Sequence, residues 1–314
     1  MADYALDTSA LSRLVANHCR ARALERDLRG TDHRLLVSQS VLEEILAVPT
    51  DQILLDVAES LERLLRLFGG RLLVSWGAVD IWRVEASRAL ARTPTFEPEQ
   101  QQSFVNDLAY AISNRDPTHG GLNTSRTWVS KWKAAAEEAV KEPRRETRDA
   151  FRNRVDPGAL GDELARYGPA NVPDWLVERL LRIAAIPELE AFRVIQDTQR
   201  YHALRVAAAL MNLTMFGDAI PPDLRTRHPY LQVLRTHRNN YFDCSVASSA
   251  AYADVFVVQD DDLRDKCVHL AQTGITPYRS MTLKEFERSL SPQSRWHRLC
   301  RRLASCWCHL FRRG

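Results

Sequence analysis

At 314 residues the chain is long enough for a large core, either as two domains or as one domain with a big insertion. Its 45% apolar and 26% charged residues exclude bulk disorder, and no apolar run approaches the roughly 18 residues of a spanning helix. The net charge of +3 is uneven: the last twenty residues hold six Arg and no acid, so subtracting them leaves −3 for the body and excludes a broadly basic nucleic-acid-binding surface.

The N-terminus has Asp3 and no basic run, so it does not read as a secretory signal, and a cytoplasmic location is expected. Six cysteines (Cys19, Cys244, Cys267, Cys300, Cys306 and Cys308) form no CxxC pair, which suits free thiols in a reducing compartment.

Residues 2–7 (ADYALD) are a short apolar run ending in an acid. The stretch after it places Leu11, Leu14, Val15 and Cys19 on one helical face, with Thr8 or Ser9 as its cap. Residues 34–38 (RLLVS) predict a second strand, and QSVLEEILAV a helix stopped by Pro49. Thr50 or Asp51 caps a long helix that ends at Gly69 and Gly70. RLLVSW, at 71–76, is a third strand, followed by a helix over VDIWRVEASRALAR. Three strand–helix units in succession predict a parallel sheet covered by helices.

From 96 to 230 the periodicity is helical, in SFVNDLAYAISN, RTWVSKWKAAAEEAV, DWLVERLLRIAAI and AFRVIQDTQRYHALRVAAALMNL. The densely charged stretch 133–154 predicts a mobile, solvated part of this insertion. The alternating pattern resumes at 239 with a small-residue helix (NNYFDCSVASSAAYA), a buried strand (ADVFVV), a loop into a helix (QDDDLRDKC), a strand at PYRSM and a helix over TLKEFERSL. The expected organisation is therefore an α/β core from 1–95 and 231–290, a helical insertion at 96–230, and a basic amphipathic tail at 291–314.

The acids carry the chemistry. Asp7 ends the first strand and Asp260 follows the strand at 255–258, so both are expected on the rim where open parallel sheets bind ligands. Asp243 opens the helix feeding that strand, and Glu44 lies about one and a half turns into the helix after the second strand. Crowded carboxylates repel, and a hard divalent cation resolves the repulsion while activating water toward a phosphodiester. Several choices stay open: Asp260, Asp261 and Asp262 are consecutive, Glu43 precedes Glu44, and Glu85 and Asp107 are rivals for Glu44 and Asp243.

On these segments the chain resembles the PIN-domain family. YALDTSALSRL is similar to the family's opening strand, LLVSQSVLEEIL to the segment that supplies a helical Glu, and FDCSVASSAAYADVFVVQDDDL to its closing element. The resemblance implies a Rossmann-like core built from both chain ends. It implies Mg²⁺ or Mn²⁺ held by Asp7, Glu44, Asp243 and Asp260, with Ser9, Thr8 and Asp262 in support. It also implies endonucleolytic cleavage of RNA, in a toxin-like or defence-related setting, with room for an inhibitor or antitoxin partner and for a homo-oligomer. Val258 stands where the family often has Thr or Ser. That departure keeps open a second expectation, an inactive PIN-like scaffold acting through its insertion and tail.

Three further features attract simpler readings. Trp128 and Trp132, four apart beside Lys131 and Lys133, could stack bases but more often pack a core. His237 between Arg235 and Arg238 offers a phosphate contact. The tail puts Trp296, Leu299, Leu303, Trp307, Leu310 and Phe311 near one face, with arginines mostly opposite, which suits an anionic partner.

Overall fold

The computed structural model describes residues 1–152, 172–219 and 240–290. His237 and the 291–314 tail lie outside the described residues.

The chain is α/β, with a five-stranded all-parallel sheet and thirteen α-helices among the described residues. The strands are β1 (Asp3–Leu6), β2 (Arg34–Ser38), β3 (Leu72–Ser75), β4 (Val255–Val257) and β5 (Arg279–Met281), in the order β3-β2-β1-β4-β5. All five fall within the expected runs. β1, β2 and β4 are almost wholly buried, as the unbroken apolar runs of a sheet covered on both faces require. The register pairs Leu6 with Val37 on one side and with Val257 on the other. The strand order reverses between β1 and β4, so their carboxyl ends flank the crevice where such sheets bind ligands.

The first expected helix is two. α1 (Thr8–Val15) ends at Ala16, and Asn17 caps α2 (His18–Arg29) by accepting from the Arg20 amide at 3.0 Å. The cap of α1 is Asp7 rather than Thr8 or Ser9. α3 (Gln39–Leu46) starts directly from β2 with Ser38 as its cap. α4 (Asp51–Phe68), capped by Thr50, stops at Gly69, whose φ of 52° favours glycine. α5 (Ala78–Ser87) follows β3.

In the insertion, α6 (Pro98–Asn114) precedes α7 (Thr124–Arg152), and α7 runs as one helix through most of the charged stretch expected to be mobile. α8 (Asp174–Ile183) is followed by α9 (Glu188–Gln196) and α10 (His202–Ala219), where a single helix was expected over 191–213. The break has a cause in a distant side chain. Glu85 of α5 accepts from the Ala203 and Leu204 amides at 2.9 and 3.0 Å, and so caps α10 from outside its own chain segment.

α11 (Asn240–Ser249) packs most extensively against α10. Both helices are rich in buried small residues, Ala203, Ala207, Ala208 and Ala209 on one and Ser245, Ala247 and Ser248 on the other. The serine hydroxyls of α11 bond back to carbonyls three residues earlier, so close packing leaves them satisfied. α12 (Asp261–Gln272) and α13 (Leu283–Leu290) complete the chain. One contiguous apolar core contains Val37 and Phe256 of the sheet together with Leu176, Val206 and Leu210 of the insertion. Among the described residues no helix is long and apolar enough to cross a membrane.

Candidate functional site

The site begins with the turn after β1. The Asp7 amide donates to the Val257 carbonyl at 3.0 Å, extending the β1–β4 ladder by one residue. This fixes the Asp7 carboxylate between two turns. One oxygen accepts from the Ala10 amide at 2.5 Å and the other from the Gln259 amide at 3.1 Å. Asp7 is thus both a helix cap and a clasp between the β1 and β4 turns. Asp260 caps α12 in the same way, accepting from the Leu263 amide at 2.8 Å.

Glu44 reaches the rim from α3, where Thr8 Oγ1 donates to Glu44 Oε2 at 2.6 Å and Lys133 Nζ donates to Oε1 at 2.8 Å. Of the two candidate hydroxyls, Thr8 makes the contact, and Ser9 is exposed on α1. Asp243, in the first turn of α11, faces all three other acids: burial raises its pKa from 3.8 to about 8, assisted by Glu44, Asp260 and Asp7 and opposed by Lys133. Asp7 is raised to about 6, again first by burial, with Asp260 adding repulsion against three backbone donors. Acids drawn from positions 7, 44, 243 and 260 therefore sit within electrostatic range at the carboxyl edge of the central strands.

The other acids have separate environments. Asp262 turns inward to a buried ion pair with Lys266 at 2.7 Å, both side chains 2% exposed, and Lys266 also lies 3.5 Å from Thr214 Oγ1. Asp261 is exposed and paired with Arg264. Glu43 accepts from Gln39 and is raised to about 7 by burial, with Asp80 rather than the rim acids as its charged neighbour. Glu85 is raised to about 7 by burial while accepting from Tyr252 and the α10 amides. Asp107 pairs with His119 at 3.2 Å against the backbone of Gly120, away from the rim acids.

Lys133 was not expected here. Arg126 and Val129 lie two turns and one turn before it on the same α7 face, and Trp132 is its neighbour in sequence. Arg126 donates to the Val48 carbonyl at 2.7 Å, Val129 is buried, and Trp132 meets Phe242 edge-on with ring centres 5.5 Å apart. Trp132 is thus a packing residue, while Trp128 is 39% exposed. These contacts seat α7 on α3 and α11 and carry the Lys133 ammonium over the Phe242 ring, 5.0 Å from its centre.

The chain matches no family model, no curated protein and no solved structure.

The donor set is all oxygen and anionic, which suits Mg²⁺ or Mn²⁺. Asp7, Glu44, Asp243 and Asp260 are the residues that would hold such an ion. Among the described residues no three Asp, Glu, His or Cys side chains converge tightly enough to form a ready-made metal site. Backbone amides, Thr8 and Lys133 hold the carboxylates in their present spacing.

Proposed function

We propose that the chain is a divalent-cation-dependent phosphodiesterase acting on RNA, built on a Rossmann-like PIN-type core. One observation carries this reading: Asp243 lies within electrostatic range of three further carboxylates at a strand-order reversal, and burial, reinforced by their repulsion, lifts its pKa to about 8. Structural carboxylates are normally matched to donors, whereas one held among other acids is poised to accept a cation.

In this reading Asp243, Asp7, Glu44 and Asp260 orient the cation, which supplies Lewis acidity and an activated water for attack on phosphorus. Asp7 stays fixed because both oxygens are held by backbone amides of two turns. Thr8 keeps Glu44 aimed at the rim. The parallel sheet with its crevice at β1 and β4, and the order of the motifs along the chain, support the family reading. The test is Mn²⁺-dependent cleavage of single-stranded RNA by wild type and Asp7→Asn. Equal cleavage by the two proteins removes the site.

A second reading rests on Lys133. Its ion pair with Glu44 neutralises one of the four acids, as befits a PIN-like scaffold that binds partners without metal. Calorimetry separates the readings: a Mn²⁺ isotherm that vanishes in Asp243→Asn excludes the scaffold.

A further inference from the structure

Lys133 is the cation that already neutralises part of the rim. Its ammonium sits 2.8 Å from Glu44 Oε1, and Asp243 also feels its charge. It comes from α7, outside the segments that supply the acids, and the Arg126, Val129 and Trp132 contacts fix that helix in register. The Lys133 side chain is 37% exposed, so the ammonium can swing away from Glu44 without unpacking the stem.

We propose that Lys133 is an internal competitor for the divalent cation: its ammonium and the metal contend for Glu44, so that the insertion sets the cation concentration at which the rim fills. This rests on the metal-dependent reading above and adds to it a positioning residue that acts through Glu44. Two cations cannot share one carboxylate oxygen without strong mutual repulsion, so occupancy by one lowers affinity for the other. The groups facing the ammonium are Glu44 of α3 and Phe242 and Asp243 of α11.

The test is calorimetric titration of the full chain with Mn²⁺, comparing wild type, Lys133→Met and Lys133→Arg. Met keeps most of the stem and removes the charge, whereas Arg keeps the charge. Lys133→Met is expected to bind Mn²⁺ roughly tenfold more tightly than wild type, with Lys133→Arg close to wild type. Lys133→Gln repeats the measurement if thermal melting shows the Met variant to be unfolded. A folded charge-removing variant that binds Mn²⁺ no more tightly than wild type overturns the competition while leaving the nuclease reading standing. Failure of both wild type and that variant to bind Mn²⁺ overturns the nuclease reading, and the competition with it.

Discussion

Asp260 and Asp262 are two residues apart and have opposite fates. Asp262 is sunk in the protein with its carboxylate against the Lys266 ammonium, 2.7 Å away. Asp260 stays at the rim, one oxygen on a helix amide, facing Asp7 and Asp243. Glu85 and Asp243 repeat the contrast: both are pushed up in pKa by burial, but Glu85 is surrounded by donors and Asp243 by acids. Burial therefore does not separate the two kinds of carboxylate. The signs of their neighbours do.

Four measurements bear on that contrast. The largest effect is expected at the matched pair. Lys266→Met leaves the Asp262 carboxylate buried without its ammonium and should lower unfolding stability by about 3–5 kcal/mol in urea titration. A loss below about 1 kcal/mol would dissolve the distinction. Next, Asp243→Asn should reduce Mn²⁺-dependent cleavage of single-stranded RNA by roughly 100-fold or more while the protein remains folded. Cleavage within a few-fold of wild type would make the rim acids as structural as Asp262.

The third concerns pH. The folded-state pKa of Asp243 lies above its unfolded value of 3.8, so the folded chain binds the extra proton in between. Stability from this group is complete below pH 3.8 and is lost as pH rises to about 8. Asp243→Asn should therefore become progressively more stable than wild type over that window, with the difference largest near pH 8. Melting temperatures at a series of pH values measure it, and a difference independent of pH would refute it. The smallest effect is expected for Thr8→Val, which removes the hydroxyl from Glu44. It should cost about 0.5–1.5 kcal/mol of stability in chemical denaturation, and a variant as stable as wild type would show that the contact orients Glu44 without holding the fold.

The sheet and the four rim positions were legible because each depended on local pattern. Apolar runs ended in Asp7 and before Asp260, and the helical phase placed Glu44. Each strand is where its run predicts, and Asp7 and Asp260 follow the ends of β1 and β4. What escaped was set by partners far along the chain. The start of α10 at His202 is anchored by Glu85, over a hundred residues away, and nothing in residues 191–213 announces the break. The split at Asn17 was different: asparagine is a common cap, and a smooth apolar face over residues 11–19 concealed it. Lys133 escaped because one lysine among several on α7 looks solvated until Trp132 is seen to pack on Phe242. α7, α8 and α10 of the 96–230 stretch share one apolar core with the sheet.

The pairing of β1 with β4 joins residues some two hundred and fifty positions apart. During synthesis the first strand therefore emerges long before the neighbour that completes it. Until β4 arrives, one edge of β1 has no ladder partner, and Asp7 has no Gln259 amide to hold its second oxygen. A nascent chain halted before residue 240 would carry two of the four acids and no β1–β4 crevice, so the acid set would come together only once β4 has emerged.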